Sequence, residues 1–208
     1  MTTAAQSVDF FYGIGSRYSY LASTQLDRLA AETGCRIRWR PLSSGDLFAA
    51  RGLDPFAGRP VSGQYDWTYR RFDAQCWADY YGVPFREPED IRFDPRRLAL
   101  ACTAAARLGA VERFSRRLFG ALFVDGTSPL DDAACAALAA GVGLDPAAFR
   151  RALDEPMTRQ ALARTLQDAL RRGVFGVPGF VLAGRVYFGN DRLPILRHVL
   201  LEDRRGRL

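Results

Sequence analysis

Apolar positions in the first forty residues follow two different spacings, which predict a strand, a helix and a second strand. Residues 8–14 form a compact run of β-branched and aromatic side chains, typical of a buried strand. From residue 18 to residue 30 the apolar positions recur at helical spacing, and Thr33-Gly34 ends the helix. From residue 35 to residue 39 apolar side chains alternate with arginines, until Pro41 closes the strand. The pattern predicts a β-α-β unit with parallel strands.

The middle of the chain shows helical spacing only. Residues 43–62 are rich in Gly, Pro and Ser, with one short helix expected at 45–50. Asp94-Pro95 supplies a capping residue and a first-turn proline for a later helix. Helices are predicted at 65–81, from 95 onwards, and at 110–123, 131–140, 145–153 and 157–172.

Strand character returns near the C-terminus. Residues 179–182 and 185–188 flank the tight turn Ala183-Gly184 and predict an antiparallel hairpin, after which a final helix follows residues 189–191. This order is that of an α/β, thioredoxin-like fold with a large all-helical insertion after the second strand. We expect a discontinuous thioredoxin-like domain at 1–42 and 173–208, and a helical insertion domain at 43–172.

Composition narrows the class of protein. With 208 residues and 48% apolar content the chain can bury a sizeable core. No stretch has the length and apolarity of a membrane span, and no basic segment leads into an apolar run at the N-terminus, so we expect a cytoplasmic protein. The net charge of +6 comes from dispersed arginines without a basic-aromatic reader motif. It therefore predicts no nucleic-acid partner and suits an anionic small ligand.

The cysteines and the single histidine exclude several chemistries. The four cysteines are far apart and form no C-x-x-C pair, so we expect neither a disulfide framework nor a metal site. They lie in apolar segments, where a free cysteine behaves as a small hydrophobe. His198 lies on the last predicted helix, and nothing in the sequence places it beside a nucleophile.

Two segments can carry chemistry. Ser16 and Ser19 open the first helix, where thioredoxin-type proteins hold their redox cysteine pair near free backbone N–H groups. A serine cannot exchange disulfides, but its hydroxyl can donate a hydrogen bond to a thiolate supplied from outside; alternatively, Ser16 is an ordinary helix cap. The second segment, 173–178, places Pro178 directly before a strand. A cis Val177-Pro178 bond there would leave the Val177 backbone free to pair with an extended peptide; alternatively, Pro178 is a plain loop proline.

These segments resemble the DsbA-like branch of the thioredoxin superfamily, specifically the 2-hydroxychromene-2-carboxylate isomerases and kappa-class glutathione transferases. The resemblance spans nearly the whole chain. It is carried by Asp9-Phe10-Phe11-Tyr12, Ser16-x-Tyr18-Ser19-Tyr20-Leu21-Ala22, Tyr69-x-x-x-Asp73, Trp77-Ala78, Tyr81-Gly82-Val83-Pro84-Phe85, Gly173-Val174-Phe175-Gly176-Val177-Pro178 and Phe188-Gly189-Asn190-Asp191-Arg192-Leu193.

The resemblance implies glutathione as the cofactor. Ser16 would be the catalytic residue that hydrogen-bonds the glutathione sulfur. The other residues implied in cofactor binding are Val177, Pro178, Asn190, Asp191 and Arg192. The sulfur would act as a borrowed nucleophile that adds to a conjugated substrate and later leaves. Family analogy alone suggests a homodimer.

The chain also departs from the family pattern. Arg17 replaces the proline of the usual Ser-Pro-Tyr, and it either contacts an anionic ligand or lies in solvent. Many family members hold glutathione with an asparagine and a lysine after the second strand. In this chain Leu53-Asp54 lies near the expected position of the asparagine, and the sequence contains no lysine. The arginines that could replace the lysine are Arg51, Arg59 and Arg70.

The sequence thus predicts a glutathione-dependent isomerase acting on an aromatic or chromene-like small molecule. The substrate pocket is expected between the Ser16 turn and the insertion, with Arg17, Tyr18 and Trp67 binding the substrate. Most of the other insertion aromatics are interpreted as packing residues: Tyr65, Tyr69, Trp77, Tyr80 and Tyr81. The alternatives are a kappa-type glutathione transferase and a non-catalytic protein that binds a small molecule or another protein. The hydroxyls at positions 16 and 19 argue against a disulfide oxidoreductase.

Overall fold

The computed structural model describes residues 5–52, 66–88 and 92–204. The strands are β1 (Ser7–Tyr12), β2 (Arg36–Pro41), β3 (Gly179–Leu182) and β4 (Arg185–Phe188). The helices are α1 (Arg17–Ser23), α2 (Leu26–Thr33), α3 (Ser44–Ala49), α4 (Trp67–Tyr81), α5 (Pro95–Arg107), α6 (Val111–Phe123), α7 (Asp132–Gly141), α8 (Pro146–Asp154), α9 (Pro156–Arg171) and α10 (Leu193–Arg204). A 3₁₀ turn, Asn190–Arg192, leads into α10.

The four strands form one mixed sheet in the order β2-β1-β3-β4. Strand β1 pairs parallel with β2, with Phe10 opposite Trp39, and antiparallel with β3, with Phe10 opposite Phe180. Strands β3 and β4 form the antiparallel hairpin. The predicted β-α-β unit, the hairpin and the α/β thioredoxin-like class are confirmed.

The alternating side chains of β1 face two separate apolar layers. Val8, Phe10 and Tyr12 are fully buried in the larger layer, which includes residues of α1, α2, α5 and α6. Phe11 points the other way and packs with Val181 and with residues of α9. Because both faces of β1 are covered, the strand is apolar at Val8 and from Phe10 to Tyr12, and its one buried charge, Asp9, forms ion pairs with Arg38 and Arg172.

The first helix differs from its prediction. We expected one continuous helix up to Thr33, but the structure divides it into α1 and α2 at Thr24-Gln25. The Ser23 hydroxyl donates to the Tyr20 carbonyl at 2.6 Å, and the Thr24 hydroxyl donates to the Leu21 carbonyl at 2.7 Å. Such side-chain bonds compete with the helical backbone bonds, which explains the break.

The predicted helices of the middle segment are all present. Four of them begin at an aspartate whose carboxylate accepts backbone N–H groups of the first turn, which satisfies donors that a helix start leaves free: Asp66, Asp94, Asp131 and Asp145. The domain boundaries at 42 and 172 stay a prediction. Helix α9, which lies in the predicted insertion, packs against the sheet. Within the described ranges, no helix is long and apolar enough to cross a membrane.

Candidate active site

Ser16 lies at the end of the turn between β1 and α1 and begins the helix. Its N–H donates to the Gly13 carbonyl at 3.0 Å, and its hydroxyl oxygen accepts the Ser19 N–H at 3.1 Å. The ring of Phe93 lies so close to Gly15 that any side chain there would collide with it. The half-buried Ser16 hydroxyl donates to no acceptor in the described part of the chain. Its proton is therefore available to a ligand.

The loop before β3 lies beside this turn. The Val177-Pro178 peptide bond is cis, which is one of the two alternatives that the sequence leaves open. A side-chain carbon placed on Gly13 would lie 3.5 Å from a methyl group of Val177, so this loop packs against Gly13. Gly13 is the residue whose carbonyl accepts the Ser16 N–H. Across residues 5–52, 66–88 and 92–204, neither the N–H nor the C=O of Val177 has a hydrogen-bond partner. A peptide-like ligand could pair with both groups.

The 3₁₀ turn Asn190–Arg192 packs against α1 from another side. Asn190 is buried, and its backbone carbonyl accepts the Tyr81 hydroxyl at 3.3 Å. Its Nδ2 is buried without a partner among the described residues. Asp191 and Arg192 are exposed and form an ion pair with each other at 2.7 Å. The turn thus presents one buried amide donor and two exposed charges.

Arg17 is buried rather than solvated, so the solvent alternative for this residue is wrong. It is 5% exposed, and its Nη2 forms an ion pair with Glu87 at 2.7 Å. Its guanidinium lies over the Trp67 ring, 4.9 Å from the centroid. Burial lowers the pKa of Arg17, although Glu87 opposes this effect. The first residue of α1 is therefore joined to the helical insertion.

Tyr18 reaches the same part of the insertion. Its hydroxyl donates to Asp73 of α4 at 2.7 Å, and the guanidinium of Arg70 lies 5.8 Å from its ring centroid. Burial, together with the hydrogen bond to Asp73, raises the pKa of Tyr18 to about 12. Tyr18 is therefore a neutral hydrogen-bond donor at physiological pH. Both contacts place the Ser16 turn against the insertion, where the substrate pocket is predicted.

Unsatisfied polar atoms concentrate around α1. Five buried side-chain nitrogen and oxygen atoms in the described chain have no hydrogen-bond partner. Two of them, on Asp9 and Arg40, face each other at 4.0 Å and belong to an ion pair. The other three are Arg17 Nη1, Ser19 Oγ and Asn190 Nδ2. Buried polar groups are nearly always hydrogen-bonded, so these three atoms are the ones that a polar ligand could satisfy.

The remaining predicted residues divide between packing and surface. Trp67, Tyr69 and Tyr80 are 59%, 48% and 76% exposed, whereas Trp77 and Tyr81 are half-buried. Arg51 donates to the Val174 carbonyl at 3.0 Å, which places this substitute candidate beside the 173–178 loop. Tyr65, Leu53-Asp54 and Arg59 lie outside the described residues. A groove of about 480 Å³ between α2, α4 and α10 lies nearby, but Ser16 does not line it.

Glu87 is the site residue that the sequence reasoning missed. It lies far along the chain from Arg17, in the irregular segment after α4, and no spacing rule connects the two residues. The one available signal was the Arg17 substitution itself. An arginine near a helix start that is not solvated needs a carboxylate partner, but the sequence does not identify which carboxylate it is.

None of the four cysteines occupies position 16 or 19, where a thioredoxin-type protein holds its thiols. Cys35, Cys102 and Cys135 are free and buried, and Cys76 is free and exposed. Burial raises the pKa of Cys102 and Cys135 to about 12, which keeps them protonated. The two hydroxyls of α1 therefore stand alone where a thioredoxin-type protein holds its thiols.

Comparison with known proteins shows the family. A family model described as the DSBA-like thioredoxin domain matches residues 7–201. The chain belongs to the DSBA-like thioredoxin family. The predicted resemblance within that family, to 2-hydroxychromene-2-carboxylate isomerases, is also confirmed.

Three curated relatives carry that isomerase name. The 2-hydroxychromene-2-carboxylate isomerase of Pseudomonas putida is 28% identical over 201 residues, covering 97% of this chain and 95% of its own. The enzyme of the same name from Sphingobium xenophagum is 29% identical over 197 residues, covering 95% and 99%.

Solved structures agree with the relatives. The structure of a 2-hydroxychromene-2-carboxylate isomerase is 26% identical, with a TM-score of 0.84 over 96% of this chain and 97% of its own. A probable DsbA oxidoreductase from Streptomyces coelicolor is 20% identical, with a TM-score of 0.73 over 98% and 91%, and it supports the fold alone.

Proposed function

We propose that this protein is a glutathione-dependent isomerase acting on an aromatic, chromene-like small molecule. The observation that carries the proposal is that, among the described residues, the Ser16 hydroxyl has no acceptor and the Val177 backbone groups have no partner, in a chain with serines at the two redox positions. The isomerase names of the relatives support the reaction type.

The residues around α1 suit a tripeptide thiol. Ser16 has a proton to donate to a sulfur, and Val177 offers a backbone N–H and C=O to a peptide unit. The buried Nδ2 of Asn190 has no acceptor among the described residues and could donate to one on the ligand. The exposed carboxylate of Asp191 could bind an ammonium group. Arg51, which donates to the Val174 carbonyl, supplies a cation beside the 173–178 loop. These groups match the sulfur, amide, amine and carboxylate groups of glutathione.

When bound, glutathione would supply a thiolate that adds reversibly to the conjugated substrate and thereby allows a double bond to rotate. The role of Ser16 is to hold the sulfur by donating one hydrogen bond. Val177 would fix the peptide backbone of the tripeptide, and the insertion would place the aromatic substrate with Tyr18 and Trp67. Tyr18 stays neutral, because its pKa is raised to about 12, and its hydroxyl holds the turn to Asp73 of the insertion.

Replacing Ser16 by alanine tests the proposal. We expect weaker glutathione binding by calorimetry and a turnover roughly 10- to 100-fold lower, because one hydrogen bond to a charged sulfur is lost. Ser43→Ala is the matched control, because Ser43 caps α3 by accepting the Asp46 N–H at 3.2 Å. Both variants lose a helix cap, worth about 1 kcal/mol, so only Ser16→Ala should change catalysis. Equal turnover in the two variants would refute the role of Ser16.

Product analysis separates the isomerase from the related transferase activity. An isomerase returns free glutathione and a rearranged substrate, whereas a kappa-type transferase leaves a stable thioether. A rearranged product of unchanged mass would support the proposal, and a glutathione adduct would contradict it.

A further inference from the structure

Glu87 and Trp67 hold Arg17, and one of its guanidinium nitrogens is left without a partner among the described residues. Glu87 binds Nη2 at 2.7 Å, and the two side chains are 6% and 4% exposed. The Trp67 ring covers one face of the guanidinium. Nη1 is buried and has no partner in the described ranges. A buried, charged donor without an acceptor is costly, and its presence next to Ser16 indicates an acceptor brought by a ligand.

The charges around Arg17 also favour an anion. The guanidinium of Arg70 lies 5.7 Å from the Trp67 centroid and forms no ion pair with any described residue. Arg71 contacts the second oxygen of Glu87 at 3.4 Å. Among the described residues in these contacts the carboxylates are Glu87 and Asp73, and Asp73 already accepts the Tyr18 hydroxyl. Arg70 and Arg71 both lower the pKa of Arg17, which shows that positive charge gathers around it.

We propose that Arg17 selects an anionic substrate, with Nη1 donating to a carboxylate on the aromatic compound while Glu87 holds Nη2. The inference rests on the proposed function, because it places the substrate beside Ser16. A guanidinium suits this role because its fixed fork can bind one carboxylate on each side. A substrate without an acceptor would leave Nη1 unpaired, and a neutral amide would offer it only an uncharged acceptor, which binds a guanidinium more weakly than a carboxylate does.

A carboxylate could also come from glutathione, so the experiment measures both ligands separately. Calorimetry on the full-length protein compares 2-naphthoate with 2-naphthamide, which has the same ring and no charge, and measures glutathione in parallel. We expect naphthoate to bind about 10- to 100-fold more tightly than naphthamide, as one charge-assisted hydrogen bond implies. In Arg17→Met this preference should vanish while glutathione affinity is unchanged.

Two further variants keep the test decisive. Arg71→Met removes an arginine from the same carboxylate, but that side chain is 62% exposed, so the preference should persist. Arg17→Lys keeps the charge but lacks the second nitrogen, so it should lose most of the preference for naphthoate over naphthamide. This variant tests the inference even if Arg17→Met fails to fold.

The outcomes separate the inference from the proposed function. A preference that is absent in the natural protein, or that survives both Arg17 variants, would overturn the inference. Arg17→Met weakening glutathione but not naphthoate would assign the carboxylate to glutathione and would overturn it as well. An Arg17-dependent preference for naphthoate would uphold the inference even if no glutathione binding were measured, and in that case only the proposed function would fall.

Discussion

Replacing Glu87 by glutamine should destabilise the fold more than any substitution in a surface ion pair. The carboxylate is the only ion-pair partner of Arg17 among the described residues, and both side chains are almost fully buried. Removing one member of a buried pair leaves the other charge uncompensated, which typically costs about 3–5 kcal/mol.

Two features of the structure place the expected cost near the lower end of that range. The Arg17 guanidinium keeps its contact with the Trp67 ring, which is worth about 1 kcal/mol. Glutamine also retains one oxygen that can accept from Nη2. We therefore expect a loss of about 3 kcal/mol in the free energy of unfolding. For a chain of 208 residues this corresponds to a fall of about 6–12 °C in Tm.

Thermal and urea unfolding followed by circular dichroism measure the effect. Asp125→Asn is the control, because the Arg117–Asp125 pair has a similar distance of 2.9 Å but side chains that are 46% and 47% exposed. It should cost less than about 1 kcal/mol. The double variant Arg17→Met/Glu87→Gln should be more stable than Glu87→Gln alone, since no unpaired charge remains. A Glu87→Gln variant as stable as the control would refute the reasoning.

Three other predictions follow from the structure. Gly179→Ala should lower the free energy of unfolding, measured with urea, by about 1–3 kcal/mol, because the new Cβ would lie 3.0 Å from the Gly176 carbonyl oxygen. Gly141→Ala is the control: its Cβ would meet nothing within 4 Å, so this variant should be neutral or stabilising. Asp73→Asn should lower the pKa of Tyr18 from about 12, measured by tyrosinate absorbance against Tyr18→Phe, because the carboxylate disfavours the phenolate. The natural protein should be inactive in insulin reduction, because its two helix-start positions carry hydroxyls; measurable activity would contradict this.

Much of the scaffold was predictable because local patterns determine it. The apolar run of β1, the arginine alternation of β2 and the turn at Ala183-Gly184 each have a short-range physical cause. The cis bond before Pro178 is one of the two alternatives that the sequence left open, because the position of a proline before a strand does not determine its isomer. Division of the first helix was not predicted, because it depends on where the Ser23 and Thr24 hydroxyls turn.

The candidate site was predictable only in part. Sequence patterns identified Ser16 and Val177, because each stands at a recognisable element boundary. They did not identify the partner of Arg17, since Glu87 is brought to it by the packing of the insertion on α1. The burial of Asn190 Nδ2 likewise depends on packing against α1. Pairings of this kind arise from tertiary structure and leave no periodic signal.

A crystal structure with glutathione tests the central claim most directly. We predict that the glutathione sulfur lies within hydrogen-bond distance of Ser16 Oγ and that the peptide pairs with the N–H and C=O of Val177. Glutathione bound elsewhere, or bound here with its sulfur turned away from Ser16, would contradict the account.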